Sequence, residues 1–254
     1  MAKRKKRSAS LTPAIDPQQL ARAFQPLLSP EEFALLVNEV EQPLPPAIRL
    51  NPLKTVAGFE ATLSASYGWQ LEPLPFCPLG FRVATNEGPS VSATLEHRLS
   101  MYYVQEAASM LPVELFSFYP SDDALTLDMA ASPGGKTTHL VSRGMDRGLV
   151  IANDSSQGRI QALRIVLQNW GAVNTALTRF PGEKFGSWFP GVFDRVLLDA
   201  PCSMQGLRTA ESHPAKPVTP REIQQLSQRQ AALLESALRA VKTGGEVVYS
   251  TCTL

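Results

Sequence analysis

Nowhere does this 254-residue chain hold the roughly 20 consecutive apolar residues that a bilayer-spanning helix needs, and no apolar run follows its charged N-terminus. The chain is therefore expected to be soluble and unexported, with a cytoplasmic location. Cysteine is scarce: Cys77, Cys202 and Cys252 are an odd number without metal-ligand spacing. That argues against a disulfide scaffold and fits a reducing compartment. The three histidines, His97, His139 and His213, are scattered, so surface or core roles are expected and no metal is predicted. No strong charge of one sign exists either, because the net charge is +1. Five of the 24 basic residues are Lys3, Arg4, Lys5, Lys6 and Arg7, which leaves a slightly acidic body. Such an arm either holds phosphates through counterion release or simply keeps the chain soluble, so charge alone does not establish nucleic-acid binding.

What is present is an ordinary apolar content of 44%, enough for one large domain or two modest ones. Residues 1–12 read as a disordered basic arm, 13–100 as a small mixed α+β N-terminal domain, and 101–254 as an α/β domain. Leu20, Phe24, Leu27 and Leu28, then Phe33, Leu36, Val37 and Val40, recur at helical spacing until Pro43, Pro45 and Pro46. A proline-rich stretch through Phe81-Arg82-Val83 reads as short strands and turns.

From about residue 100 helix and strand alternate. The pattern predicts helix over 107–118, strand over 124–128, helix over 136–143, strand over 149–153, helix over 158–170 and strand over 195–199. Thr219-Pro220-Arg221-Glu222 has the form of a capping box with proline at the first helical position. Ile223, Leu226, Leu233, Leu234, Ala237, Leu238 and Val241 supply the apolar face of that helix, Gly244-Gly245 ends it, and a strand over 246–250 follows. The order predicts a Rossmann-like, mostly parallel sheet with helices on both faces and right-handed crossovers.

Three phrases fall at predicted strand ends. In Asp128-Met-Ala-Ala-Ser-Pro-Gly-Gly-Lys-Thr137, two glycines between strand and helix let backbone approach a ligand and leave helix N-terminal N–H groups free for its polar atoms. Ala130 stands where a P-loop would require glycine, which disfavours an NTPase. Asp154 closes the next strand about 20 residues on, where a carboxylate can accept from both ribose hydroxyls or cap the following helix.

The other two phrases are Leu198-Asp-Ala-Pro-Cys-Ser203 and Tyr249-Ser-Thr-Cys-Thr253. Cytosine C5 is a poor nucleophile, and its methylation requires a thiolate to add first at C6; Cys202 and Cys252 both have the residue type for that step. Asp199 has the chemistry to stabilise charge developing on the ring. Cys77, in its proline-rich segment, reads as a buried structural cysteine.

The three phrases, together with Arg49-Leu-Asn-Pro-Leu-Lys54 and Tyr103-Val-Gln-Glu-Ala-Ala-Ser109, resemble the Nol/Nop/Sun (Fmu-type) family of RNA cytosine-5 methyltransferases over roughly residues 45–254. The resemblance implies S-adenosylmethionine held by Ala130, Ala131, Ser132, Pro133, Gly134, Gly135 and Lys136, with its ribose on Asp154 and Asp199 also at the site. It further implies attack on cytosine by Cys252, with Cys202 assisting product release. Without it, Cys202 would suggest a DNA cytosine-5 methyltransferase. Ribosomal RNA is the expected substrate and transfer RNA the alternative, for a monomer whose segment 49–54 helps to seat RNA.

Three departures from the family pattern bear on that expectation. Pro181 stands where the family has an aspartate that contacts the adenine end of the cofactor, and Met204 stands where it has glycine. The sequence ends at Leu254, before further strands of the family. These departures motivate a rival expectation, a catalytically impaired, methyltransferase-like RNA-binding protein.

Overall fold

The computed structural model describes residues 21–22, 24–42, 44–84, 88–119, 123–203 and 219–252. The expected basic arm over 1–12, Leu20 and Met204 lie outside them. The chain forms two compact units, residues 1–44, 202–224 and 252–254 in one, and residues 45–201 and 225–251 in the other.

In the smaller unit, helix α1 (Pro30–Glu41) begins with a capping box: the Ser29 hydroxyl accepts from the Glu32 N–H, and Glu32 accepts from the Ser29 N–H. The same device recurs at Thr219, whose backbone N–H and hydroxyl both donate to Glu222, as its sequence predicts.

The larger unit opens with a four-stranded antiparallel sheet. Its elements are β1 (Ala47–Leu50), α2 (Phe59–Tyr67), β2 (Leu71–Leu74), β3 (Cys77–Val83), α3 (Leu95–Arg98) and β4 (Tyr102–Val104). The strand order is β2-β3-β1-β4. Ile48, Leu63, Trp69, Val83 and Tyr102 form its core. The predicted helix over 107–118 is shorter than expected: a 3-10 turn at Ala107–Met110 leads into α4 (Leu111–Glu114).

A five-stranded parallel sheet follows, built from β5 (Leu125–Asp128), α5 (Gly135–Arg143), β6 (Leu149–Asn153), α6 (Gln157–Trp170), β7 (Thr175–Thr178), α7 (Phe185–Trp188), β8 (Phe193–Asp199), α8 (Pro220–Ala240) and β9 (Val241–Ser250). Its order, β7-β6-β5-β8-β9, reverses direction at β5, so the crevice beyond the carboxyl ends of β5 and β8 is the expected ligand position of an open α/β sheet. The central strands are apolar on both faces because helices cover both: Leu127, Val196, Leu197 and Leu198 are fully buried. Sequence reasoning placed no strand over 175–178, a Thr-Ala-Leu-Thr run whose four residues are all half-buried. The last strand begins at Val241 rather than 246, with a register shift opposite Phe193 and Arg195. Leu233 and Ala237 of α8 are buried as its periodicity predicts, whereas Ile223 and Leu238 are exposed.

Candidate active site

Beyond β5 the chain continues the sheet's hydrogen bonding on both sides before turning into α5. The Met129 N–H donates to Leu197 O (2.9 Å) and the Ala131 N–H to Asn153 O (2.8 Å). Gly134 then takes φ +116°, and a Cβ built there would lie 2.9 Å from Val166 Cγ1. One built on Gly135 would lie 3.2 Å from the Tyr103 ring. Gly134 is therefore demanded by its backbone angle and its packing, and at Gly135 an added carbon would crowd the Tyr103 ring. The first N–H groups of α5 have no partner within the helix and make a polar cradle at the sheet edge.

Asp154 is 1% exposed and its two oxygens differ. Oδ1 accepts from the Ser156 N–H (2.8 Å) and from Arg159 (3.1 Å), a local turn that starts α6. Oδ2 is buried and takes no hydrogen bond from the described residues, and the Ser132 hydroxyl is in the same condition. Buried polar groups left unmatched next to a glycine loop are what a ligand rich in hydroxyl, amine and carboxylate groups would satisfy. The donor set thus fits S-adenosylmethionine.

Asn153, which sequence reasoning passed over, holds the crevice together. Its side-chain amide donates to Met129 O (3.1 Å) and Phe180 O (3.0 Å), while Oδ1 accepts from the Phe180 N–H (2.9 Å) and the Thr178 hydroxyl (3.0 Å). The only signal was a polar amide ending an apolar strand. Just beyond, Pro181 caps a 3-10 turn over Gly182–Lys184 and offers no carboxylate.

Lys136 and Asp199 meet across the crevice, Nζ to Oδ2 at 2.7 Å, and the Ser250 hydroxyl donates to Oδ1 of Asp199 at 2.7 Å. Asp128 lies behind them, 1% exposed, accepting from the Thr137 hydroxyl at 2.7 Å. Burial, reinforced by the nearby Asp199 charge, pushes its carboxyl up to about 7 despite the Thr137 hydrogen bond.

Strands β8 and β9 are parallel neighbours with Asp199 opposite Ser250, and the chain carries Cys202 three residues and Cys252 two residues beyond that pair. The structure brings the two cysteines together, with Cα atoms 6.3 Å apart and the sulfurs in contact. In-register parallel strands deliver the two thiols to one place.

A correction concerns Arg49 and Asn51 of segment 49–54. Arg49 and Asn51 are fully buried, and the Asn51 amide donates to Ser100 O and Trp170 O at 2.9 Å each. Lys54 donates to Leu99 O and Asn169 O. All three polar side chains are spent on internal carbonyls or, for Arg49, on groups described below. The segment brackets the antiparallel sheet and α6, with Arg49 and Asn51 out of reach of RNA and Lys54 exposed.

Cys77 is buried as expected, yet it has company: its sulfur lies 3.8 Å from His139 Nε2, which is 2.8 Å from Glu114 Oε1. These ligand-type atoms all fall within 4.8 Å of one another, and the group is the one place among the described residues suited to a metal ion. Arg143, 3.1 Å from Glu114, already balances the carboxylate. Burial and the Arg49 charge hold His139 down at about 4, and burial, with the Glu114 hydrogen bond, lifts Cys77 to about 12, so both are neutral near pH 7.

Residues 116–254 match the model of the 16S rRNA methyltransferase RsmB/F family, and residues 17–107 match that of the N-terminal domain of 16S rRNA methyltransferase RsmF. The chain belongs to the RsmB/F family. Ribosomal RNA small subunit methyltransferase F of Salmonella paratyphi B is 40% identical over 239 residues, which cover 93% of this chain and 49% of the relative. The chain thus spans about half the length of the curated RsmF relatives it matches. A crystal structure of a methyltransferase homologue protein from Pyrococcus horikoshii superposes with TM-score 0.75 at 29% identity, covering 94% of this chain and 78% of that one. NSun6 from Pyrococcus horikoshii with SFG superposes with TM-score 0.79 at 21% identity over 92% and 83% of the two chains, a likeness of fold. The Rossmann-like expectation and the family resemblance are borne out.

Proposed function

We propose that this chain carries an S-adenosylmethionine-dependent RNA cytosine-5 methyltransferase that acts on small-subunit ribosomal RNA. The observation that carries the reading is the meeting of Cys202 and Cys252 beyond the paired ends of β8 and β9. Two thiols at one sheet edge suit a reaction that needs one to attack and another to help the product leave. The RsmF relatives, named for small-subunit ribosomal RNA, support the substrate.

In this reading residues 130–136, through the N–H groups not already spent inside the fold, and the free oxygen of Asp154 would hold the amino-acid and ribose ends of S-adenosylmethionine, which would supply an electrophilic methyl group. Cys252, reduced and ionised, adds to C6 of the target cytosine, and C5 becomes the nucleophilic carbon that accepts the methyl. Asp199, fixed by Lys136 and Ser250, stabilises charge developing on the ring. After methylation, loss of the C5 proton expels the Cys252 thiolate, with Cys202 assisting release. The cytosine must leave its stack to reach the thiolate, so an unpaired or splayed base is the expected target. No step requires a metal. Residues 101–254 would form the methyltransferase domain and 13–100 the RNA-seating domain of a monomer, with the basic arm 1–12 on backbone phosphates.

The test is a denaturing-gel search for a covalent adduct, made under reducing conditions with S-adenosylmethionine and labelled ribosomal or transfer RNA. Cys202→Ala should give an SDS-resistant band with ribosomal RNA, and Cys202→Ala/Cys252→Ala none. A band with transfer RNA alone would move the substrate class. No band with either RNA would favour a methyltransferase-like binding protein.

A further inference from the structure

Arg49 sits on β1, in the antiparallel sheet, with no exposed surface. Its guanidinium reaches α5, the helix that follows the glycine loop. Nη2 donates to Gly135 O (2.9 Å) and to the Thr138 hydroxyl (2.7 Å), and Nη1 donates to the Ser142 hydroxyl (3.3 Å). Positions 135, 138 and 142 share one face of α5, so a single planar group spans its first two turns. Nε donates to Gln105 Oε1 (3.1 Å), and the rings of Tyr103 and Trp170 flank the guanidinium at 5.9 and 5.0 Å.

All four of these acceptors are neutral. Burying a charge against neutral acceptors is costly, and an apolar side chain of similar volume would pack the same space at lower cost. What an apolar chain could not do is set the rotation and height of α5. The Thr138 hydroxyl, which accepts from Arg49, itself donates to Gly135 O (3.0 Å), and Tyr103 packs on Gly135. Guanidinium, ring and hydroxyl converge on the first residue of the helix whose N–H groups form the cradle. Burial lowers Arg49 to about 10, so it remains charged at neutral pH.

We propose that Arg49 is a positioning residue for the cofactor loop: from the N-terminal sheet it fixes the first turn of α5, so that the sheet forms part of the S-adenosylmethionine site rather than only a seat for RNA. The inference rests on the cofactor reading above. Arg49 touches neither cofactor nor RNA in this account, and it acts through Gly135 and Thr138.

The test uses the whole chain with Arg49→Lys, which keeps the charge but offers one nitrogen in place of the fork, and the milder Thr138→Val, which removes one acceptor from a folded helix. S-adenosylmethionine affinity is read by calorimetry, RNA affinity by filter binding, and amide hydrogen exchange of residues 132–139 by mass spectrometry. Positioning predicts a dissociation constant for S-adenosylmethionine raised roughly tenfold or more in Arg49→Lys, a smaller rise in Thr138→Val, faster exchange confined to the loop and first turn, and RNA affinity within about twofold of wild type. Weakened RNA binding with unchanged cofactor affinity and exchange would overturn it, as would uniformly faster exchange in both variants, which marks a merely structural role. A wild type that binds no S-adenosylmethionine would defeat the cofactor reading, and the exchange pattern would still decide whether Arg49 holds the first turn.

Discussion

Lys136 and Asp199 come from different βα units, 63 residues apart, yet Nζ lies 2.7 Å from Oδ2 while Ser250 occupies the other carboxylate oxygen. The carboxylate is thus held by a cation from the glycine-loop helix and a hydroxyl from the last strand. Asp199→Asn should lower single-turnover methylation by about 10²- to 10³-fold, the usual cost of losing one preorganised electrostatic group. Ser250→Ala, which removes one neutral hydrogen bond, should cost no more than about tenfold. Equal losses in the two variants would mean that placement, not charge, is what Asp199 contributes.

The raised carboxyl of Asp128 makes stability depend on pH. The folded chain keeps this proton up to about 7, whereas an unfolded aspartate releases it near 3.8. Between those values the folded state binds the extra proton, so this group's stabilising contribution falls as pH rises, by at most about 1.4 kcal/mol per pH unit. Urea unfolding from pH 4 to pH 8 should show that decline in the wild type and a flatter profile in Asp128→Asn, whose amide oxygen can still accept from Thr137. Parallel profiles would show that another group titrates.

An oxidant can join the adjacent Cys202 and Cys252 sulfurs, and a bridged sulfur cannot attack a base. Diamide should therefore abolish adduct formation by the wild type and dithiothreitol should restore it, while Cys202→Ala should resist diamide. Diamide sensitivity surviving in Cys202→Ala would show that inactivation does not require a bridge between Cys202 and Cys252.

Gly134→Ala should lower unfolding stability by about 1–3 kcal/mol, because it adds positive-φ strain to overpacking against Val166. Thermal or chemical denaturation measures it. Gly158→Ala, on a helix with nothing within 4 Å of the added carbon, should be neutral or stabilising.

Strands and helices over 124–170 were legible because central parallel strands are continuous apolar runs and the intervening helices are amphipathic. Thr175–Thr178 was not, since a four-residue half-buried strand carries no period of its own. The glycine loop, Asp154 and Asp199 were legible as phrases at strand ends. Asn153 and Asp128 were not singled out, because what distinguishes them is burial and contact across the sheet. The arginine of 49–54 was placed in an RNA-seating segment for the same reason: sequence displays a charge but not the carbonyls and hydroxyls that surround it.

The strand order also divides the crevice in time. Strands β5, β6 and β7 lie side by side and are contiguous in sequence, so the glycine loop, Asp154 and the Asn153 staple can assemble from residues 125–180 alone. Strands β8 and β9 add to the other side of β5 only after a further stretch of synthesis, and with them come Asp199, Ser250 and both thiols. On an emerging chain the glycine-loop half of the crevice is synthesised before the half that carries both thiols.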